Sequence, residues 1–357
     1  MNRIAELEAV VGVGTQPTES FAGLKALTLP HNDPGEAGSL ASWQFVTLAL
    51  CMMAGTASLP HILMRYFTTP SVRTARQSVA WSLLFIFLLY FTAPALATLT
   101  KLQLLDPELP TAIIGKAVDD VLALDWIRNW TDVGMLKVSD SNGDGILQIN
   151  EFFMRSGIVV LATPEIAGLP YVISGLVAAG GMAAAMSTAD GLLLAIANAI
   201  SHDLYYKIVD PKADTRVRLL VARALLILIG LAGAIVASMQ LTGILGAVAW
   251  AFCFACSGLF FPLVLGVWWK RANRQGAIAG MVCGFAAGAG YLYGIQTGLF
   301  EQVWVIDGLR FGIIGMPVSL VAMVVVSLLT EEPDAETQRM VDEVRLPSGQ
   351  AILDKTH

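Results

Sequence analysis

Residues 168–201 hold a single formally charged side chain, Asp190. A run that long and that apolar crosses a bilayer, which takes about 20 residues of helix. Hydrocarbon leaves no water for the backbone, so a spanning segment must be a helix or part of a closed barrel. The apolar runs here are helix-length and do not alternate as barrel strands do. The chain is 14% charged and 55% apolar, against about 25% charged in soluble domains. These features predict an all-α integral membrane protein embedded in a lipid bilayer. Its charge lies mostly in loops, and no basic tract points to nucleic acid. Cys51, Cys253, Cys256 and Cys283 all fall in apolar runs, as packing residues rather than disulfides.

Hydropathy marks seven spans, at residues 43–66, 79–98, 169–197 (continuing toward Tyr205), 219–239, 244–269, 277–293 and 311–329. No charge separates the fourth from the fifth, so the break is expected at Gln240-Leu241-Thr242-Gly243. Basic residues set the orientation. Arg65, Arg73 and Arg76, then Lys207, Lys212, Arg216 and Arg218, then Lys270, Arg271 and Arg274 occupy loops that alternate consistently. Placing them in the cytoplasm puts the N-terminus outside and the C-terminus inside a bacterial-type inner membrane. The expected organisation is an outer loop segment at 1–42, two helices at 43–98, an extracytoplasmic insertion at 99–165, five helices at 166–330 and a cytoplasmic tail at 331–357. The insertion is acidic, and 107–130 has room for one or two short surface helices.

Within the insertion, residues 140–151 match the calcium-loop pattern D-x-[DN]-x-[DN]-G-x5-E. Asp140, Asn142 and Asp144 supply oxygens at loop positions one, three and five. Gly145 permits the sharp turn, Ile146 offers its carbonyl, Gln148 takes the water-mediated place and Glu151 closes the loop bidentately. Phe152 and Phe153 are expected to begin an exit helix. This EF-hand-like loop predicts a weak Ca2+ site that shapes the insertion; the bland reading is an Asp/Asn/Gly-rich turn.

Two features lie inside the spans. Ala184, Ser187 and Thr188, at i, i+3 and i+4, share one helix face. Two hydroxyls and a carbonyl suit a small hard cation, although such hydroxyls also bond back to their own helix. Asp190 needs a partner or a wet cavity, since a charge at mid-membrane costs at least about 2.5–3.5 kcal/mol. In the first span, Gly55-Thr56-Ala57-Ser58-Leu59-Pro60-His61 predicts a broken helix, a device that lines cavities in transporters; an ordinary proline kink is the plainer reading.

Three segments together resemble the sodium/solute symporter family: Gly55-Thr-Ala-Ser-Leu-Pro-His-Ile-Leu-Met-Arg65, Ala184-Ala-Met-Ser-Thr188 and Ser201-His-Asp-Leu-Tyr205. The wording of residues 186–197 and the outer insertion look most like the cation/acetate symporters. The resemblance covers about residues 40–330. It implies a leucine-transporter-type fold, of which this chain holds the second inverted repeat plus extra helices. It also implies that Na+ is held by Ser187 and Thr188 side chains and the Ala184 carbonyl. Met52, Thr56 and Pro60, with Asp190, would lie on the substrate path. The family's first repeat, with its half of the sodium site, is the expected partner, on the same or a separate chain, and Met1 is then an internal methionine.

The expected function is sodium-coupled symport of a small monocarboxylate such as acetate, by alternating access and without covalent chemistry, so not an enzyme. The alternatives are a calcium-binding, membrane-anchored structural or sensor protein and a non-functional fragment of a symporter.

Overall fold

A computed structural model of the chain describes residues 39–239 and 243–345. The expected break at Gln240-Leu241-Thr242, nearly all of the segment 1–42 and the end of the tail lie outside the described residues. The described residues form two compact units, 79–187 and 39–78 with 188–345. In chain order the helices and strands are α1 (Ser39–Ser58), α2 (Pro60–Leu63), α3 (Val72–Leu105), α4 (Val118–Leu122), α5 (Asp125–Asp132), β1 (Leu136–Val138), β2 (Phe152–Met154), α6 (Val159–Ile166), α7 (Tyr171–Asn198), α8 (Thr215–Ser238), α9 (Ile244–Ala255), α10 (Phe261–Trp268), α11 (Arg274–Gln296), α12 (Gly312–Leu329) and α13 (Ala335–Val344). Among the described residues six helical segments are long and apolar enough to cross a membrane, or seven when the bent pair at α1 and α2 is counted as one span. The expected all-α membrane architecture stands.

In the first unit, α3 has 34 residues, about 51 Å of helix at 1.5 Å per residue. That exceeds the ~30 Å hydrocarbon core, and the surplus serves the insertion. The last turns bury Thr100, Lys101, Leu104 and Leu105, and Leu104 and Leu105 join Ile113, Val121, Ile127, Leu147 and Phe152 in one core. The insertion therefore folds around the end of a membrane helix. Thr100 and Thr163 hydroxyls pair at 3.1 Å, and Trp130 Nε1 donates to Glu165 at 3.0 Å, fixing α6 to α3 and α5. The helices α4 and α5 occupy the stretch expected to hold surface helices.

The exit helix expected at Phe152 and Phe153 is corrected: these residues form β2, antiparallel to β1 with Val138 opposite Phe152 and Leu136 opposite Met154. Phe152 and Met154 are buried and Phe153 half-buried, the alternation of a strand with one covered face. Aromatic residues fit such a half-buried pleat. The loop 140–151 is thus carried by a hairpin, not by two helices.

In the second unit, the fifth span is not a uniform helix. A π-helical turn, Cys256–Phe260, joins α9 to α10. Pro262 near the start of α10 has no N–H for the carbonyl four residues earlier, and a widened turn accommodates that loss. Against this turn pack α11 and α12. Gly276, Gly280, Gly284 and Gly288 form a buried stripe along α11. A β-carbon at Gly280 would lie 2.9 Å from Met323 Cβ and 3.1 Å from the Ser319 carbonyl. Only glycine lets these backbones approach so closely.

Candidate functional site

The first span places its residues on two faces. Thr47, Cys51, Ala54, Gly55 and Ser58 are buried, at the 3–4 residue spacing of one helix stripe. Their hydroxyls are satisfied locally: Thr47 donates to the Trp43 carbonyl at 2.8 Å and Ser58 to that of Ala54 at 2.8 Å. Gly55 abuts the backbone of α9, where a β-carbon would lie 2.6 Å from the Phe252 carbonyl oxygen. Loop residues before α12 seal the far end of this face. Arg310 Nε donates to the Gln44 carbonyl at 2.9 Å, and Cys253 Sγ donates to that of Leu309 at 3.2 Å. Trp43 and Trp304 rings lie 5.5 Å apart beside it.

Met52, half-buried and packed against the same core, and Thr56, exposed, lie four residues apart beside that stripe, and exposed Pro60 follows beyond the break. Thr56 Oγ1 donates to the Met52 carbonyl at 2.7 Å, so this hydroxyl presents lone pairs rather than a proton. The helix then breaks at Leu59, whose backbone is extended (φ −69°, ψ 118°), and the two halves bend by 46°. Pro60 has no N–H to offer the Thr56 carbonyl, which the break leaves at the helix end. The interruption expected from Gly55–His61 is present.

The helix α7 holds Ala184, Ser187, Thr188 and Asp190, and every residue from 181 to 190 is exposed. The next residue, Gly191, is buried; its β-carbon would lie 3.2 Å from Arg65 Nη2 and 3.8 Å from His61 Cβ. Thr188 therefore stands one turn, about 4.5 Å along the axis, from the place where α7 meets the segment after the break. At about 100° per residue Asp190 lies far round the helix from Thr188 but only about 60° from Ser187, so it flanks their shared face. His61 Nδ1 is buried without a hydrogen-bond partner among the described residues.

The loop 140–151 keeps the backbone its sequence requires, with Gly143 at φ +75° and Gly145 at φ +72°, where side chains are strained. Its oxygens, however, close on loop amides. Asp140 accepts from Gly143 and Gly145 N–H at 2.7 and 2.9 Å. Glu151, 3% exposed, accepts from Ser141 and Gln148 N–H at 2.8 and 3.0 Å. Asp144 accepts from Ile146 N–H at 2.8 Å and from the Asn142 and Gln148 amides, both 2.8 Å. The Ile146 N–H bond foremost, then the Asn142 amide, holds the Asp144 carboxyl below its ordinary value of 3.8. Among the described residues no three His, Cys, Asp or Glu side chains converge as a metal site. Ile146 bridges antiparallel to Ala117, and Leu147 exchanges backbone bonds with Gly115 and Lys116. Residues 115–118 take the place of a second loop.

Comparison with known proteins finds similarity to symporters over part of this chain. Residues 158–284 match the Sodium:solute symporter family. That segment holds α7 with Ala184, Ser187 and Thr188. An uncharacterized symporter of Cupriavidus necator is 43% identical over 310 residues, covering 84% of this chain and 44% of the relative. A monocarboxylic acid transporter of Corynebacterium glutamicum is 25% identical over 242 residues, 67% of this chain and 36% of that protein. The sodium/proline symporter of Escherichia coli is 32% identical over 172 residues, 48% of this chain and 32% of that one. The chain spans less than half the length of each of these relatives.

Sequence reasoning did not find the clamp on the amino-terminal end of α1, because Arg310 and Gln44 are 266 residues apart. Nor did it find the contact of Gly191 with Arg65 and His61; the only local signal was a glycine directly after Asp190.

Proposed function

We propose that this chain forms part of a sodium-coupled symporter for a small monocarboxylate such as acetate, working by alternating access. One observation carries the reading: α7 exposes two hydroxyls and a carboxyl at mid-span, with Thr188 one turn from the broken helix. Polar groups at that depth belong against protein or a wet cavity, not lipid. The Ala184 carbonyl, Ser187 Oγ and Thr188 Oγ1 are all-oxygen donors, as a hard monovalent cation requires, and the family match supports sodium as that cation. Three oxygens on one helix cannot surround an ion, so further helices of the symporter, on the same or a separate polypeptide, supply the rest.

Met52, Thr56 and Pro60, on either side of the break, line the substrate path. With the Thr56 proton engaged by the Met52 carbonyl, the donors for a carboxylate come from the facing helices. Asp190 faces a partner helix beside that path. The monocarboxylate reading leans on the Corynebacterium relative, whose name states that substrate class; the Escherichia relative is named for proline. Competition separates them. In vesicles that take up labelled acetate, excess propionate should suppress uptake and proline should not; suppression by proline alone would overturn the substrate assignment.

The inner-membrane placement, with the N-terminus outside and the C-terminus in the cytoplasm, rests on the Lys and Arg loops. The loop 140–151 has the oxygen chemistry for Ca2+, but binding must first displace the amides held by Asp140, Asp144 and Glu151. We expect half-saturation no tighter than about 0.1–1 mM, read as calcium-dependent hydrogen exchange at 140–151.

A further inference from the structure

Three spans meet one membrane face together. The helix α10 ends at Trp268, α11 begins at Arg274 and α12 ends at Leu329. Between these ends and the chain entering α13 lies a cavity of about 450 Å³, within the usual range for small-ligand sites. Its apolar lining includes Met323, fully buried, with Ala272 and Ala277 half-buried. Its exposed lining includes Arg274, Glu331 and Glu332.

The charges around it are not equivalent. Arg271 is consumed: it pairs with Glu332 at 3.4 Å and donates to the carbonyls of Thr330, Glu331 and Leu328. Lys270 is held by Asp342 at 2.7 Å. Arg274 and Glu331 form no ion pair among the described residues. Among the described residues the cavity therefore offers one cation and one carboxylate outside any ion pair, together with an apolar wall, at the ends of three spans.

We propose that this cavity seats the headgroup of a zwitterionic phospholipid bearing a primary ammonium, phosphatidylethanolamine. Arg274 takes the phosphate, which guanidinium recognises well. Glu331 takes the ammonium, and the glycerol end of the acyl chains lies against Ala272 and Ala277. An anionic lipid lacks a cation for Glu331 and meets the Glu331–Glu332 pair. A choline headgroup carries the charge but has no N–H to donate. The site stands at the ends of three spans, so the argument holds whichever side of the membrane they face, and it does not depend on the transport reading.

Native mass spectrometry of the full chain in micelles, titrated with short-chain ethanolamine, choline and glycerol phospholipids, tests it. The unaltered protein should retain the ethanolamine lipid about tenfold more tightly than the glycerol lipid, with the choline lipid between them. Arg274→Gln should weaken all three, and Glu331→Gln should erase the ethanolamine preference; both side chains are exposed, and an unchanged circular dichroism spectrum confirms the fold. Equal retention by the unaltered protein and Arg274→Gln, tightest binding of the glycerol lipid, or a preference that survives Glu331→Gln would overturn the proposal.

Discussion

Gly55 is where the broken helix touches α9, and replacing it with alanine gives a quantitative test of that packing. The added carbon would lie 2.6 Å from the Phe252 carbonyl oxygen, 2.8 Å from Phe252 Cβ and 2.9 Å from Phe252 Cα. Ordinary contact begins near 3.4 Å, so the two helices must part by 3.4 − 2.6 = 0.8 Å. The obstructing atoms are mostly backbone and cannot rotate away. Overpacking of this kind costs about 1–3 kcal/mol. Alanine also regains about 1 kcal/mol of helix propensity over glycine, which masks part of the loss. Gly290→Ala isolates that second effect, because a β-carbon there meets nothing within 4 Å. The propensity gain cancels between the two variants, leaving Gly55→Ala less stable than Gly290→Ala by about 1–3 kcal/mol. Denaturant unfolding of the full chain in micelles measures the difference. Equal stability of the two variants would refute the close approach of α1 and α9.

Two further outcomes follow from local geometry. The Tyr291 hydroxyl donates to the Ile306 carbonyl at 2.7 Å and accepts from Val303 N–H at 2.9 Å, across a turn that holds Trp304 at φ +52°. Tyr291→Phe should cost about 1–3 kcal/mol by stranding both groups and expose residues 299–310 to protease; an unchanged cleavage rate would count against the clip. The Asp144 carboxyl is held below its ordinary value, so its contribution to the loop is present above the ordinary carboxylate value and is lost as pH falls through the lowered one. Hydrogen-exchange protection at 140–151, taken relative to the intrinsic rate at each pH, should fall on acidification from about pH 5 to 2, and Asp144→Asn should flatten its share of that response.

What the sequence disclosed tracks how local the cause is. The break in the first span was legible because Gly55 and Pro60 act on their own neighbours, and the spans were legible because hydropathy needs no partner. The loop turn was legible for the same reason: Gly145 must adopt φ > 0 whatever surrounds it. The hairpin was not, since Phe152-Phe153-Met154 becomes a strand only by pairing with Leu136–Val138. The π turn at Cys256–Phe260 depends on Pro262 and on packing against Gly284 and Gly288, which a hydropathy window averages away. At the candidate site, Ala184, Ser187 and Thr188 were legible by spacing. Their neighbour Gly191 acquired meaning only when Arg65 and His61, more than a hundred residues earlier, came to rest beside it.

The sodium assignment to α7 is tested most directly by labelled-acetate uptake driven by a sodium gradient. The chain would be reconstituted in vesicles alone and together with the part of the Cupriavidus relative that it does not match, with Ser187→Ala and Thr188→Ala alongside. Uptake should require both parts and sodium, and each variant should lower it at least about tenfold, as loss of a charge-assisted ligand does. Uptake by the chain alone, or uptake that survives both substitutions undiminished, would contradict the account.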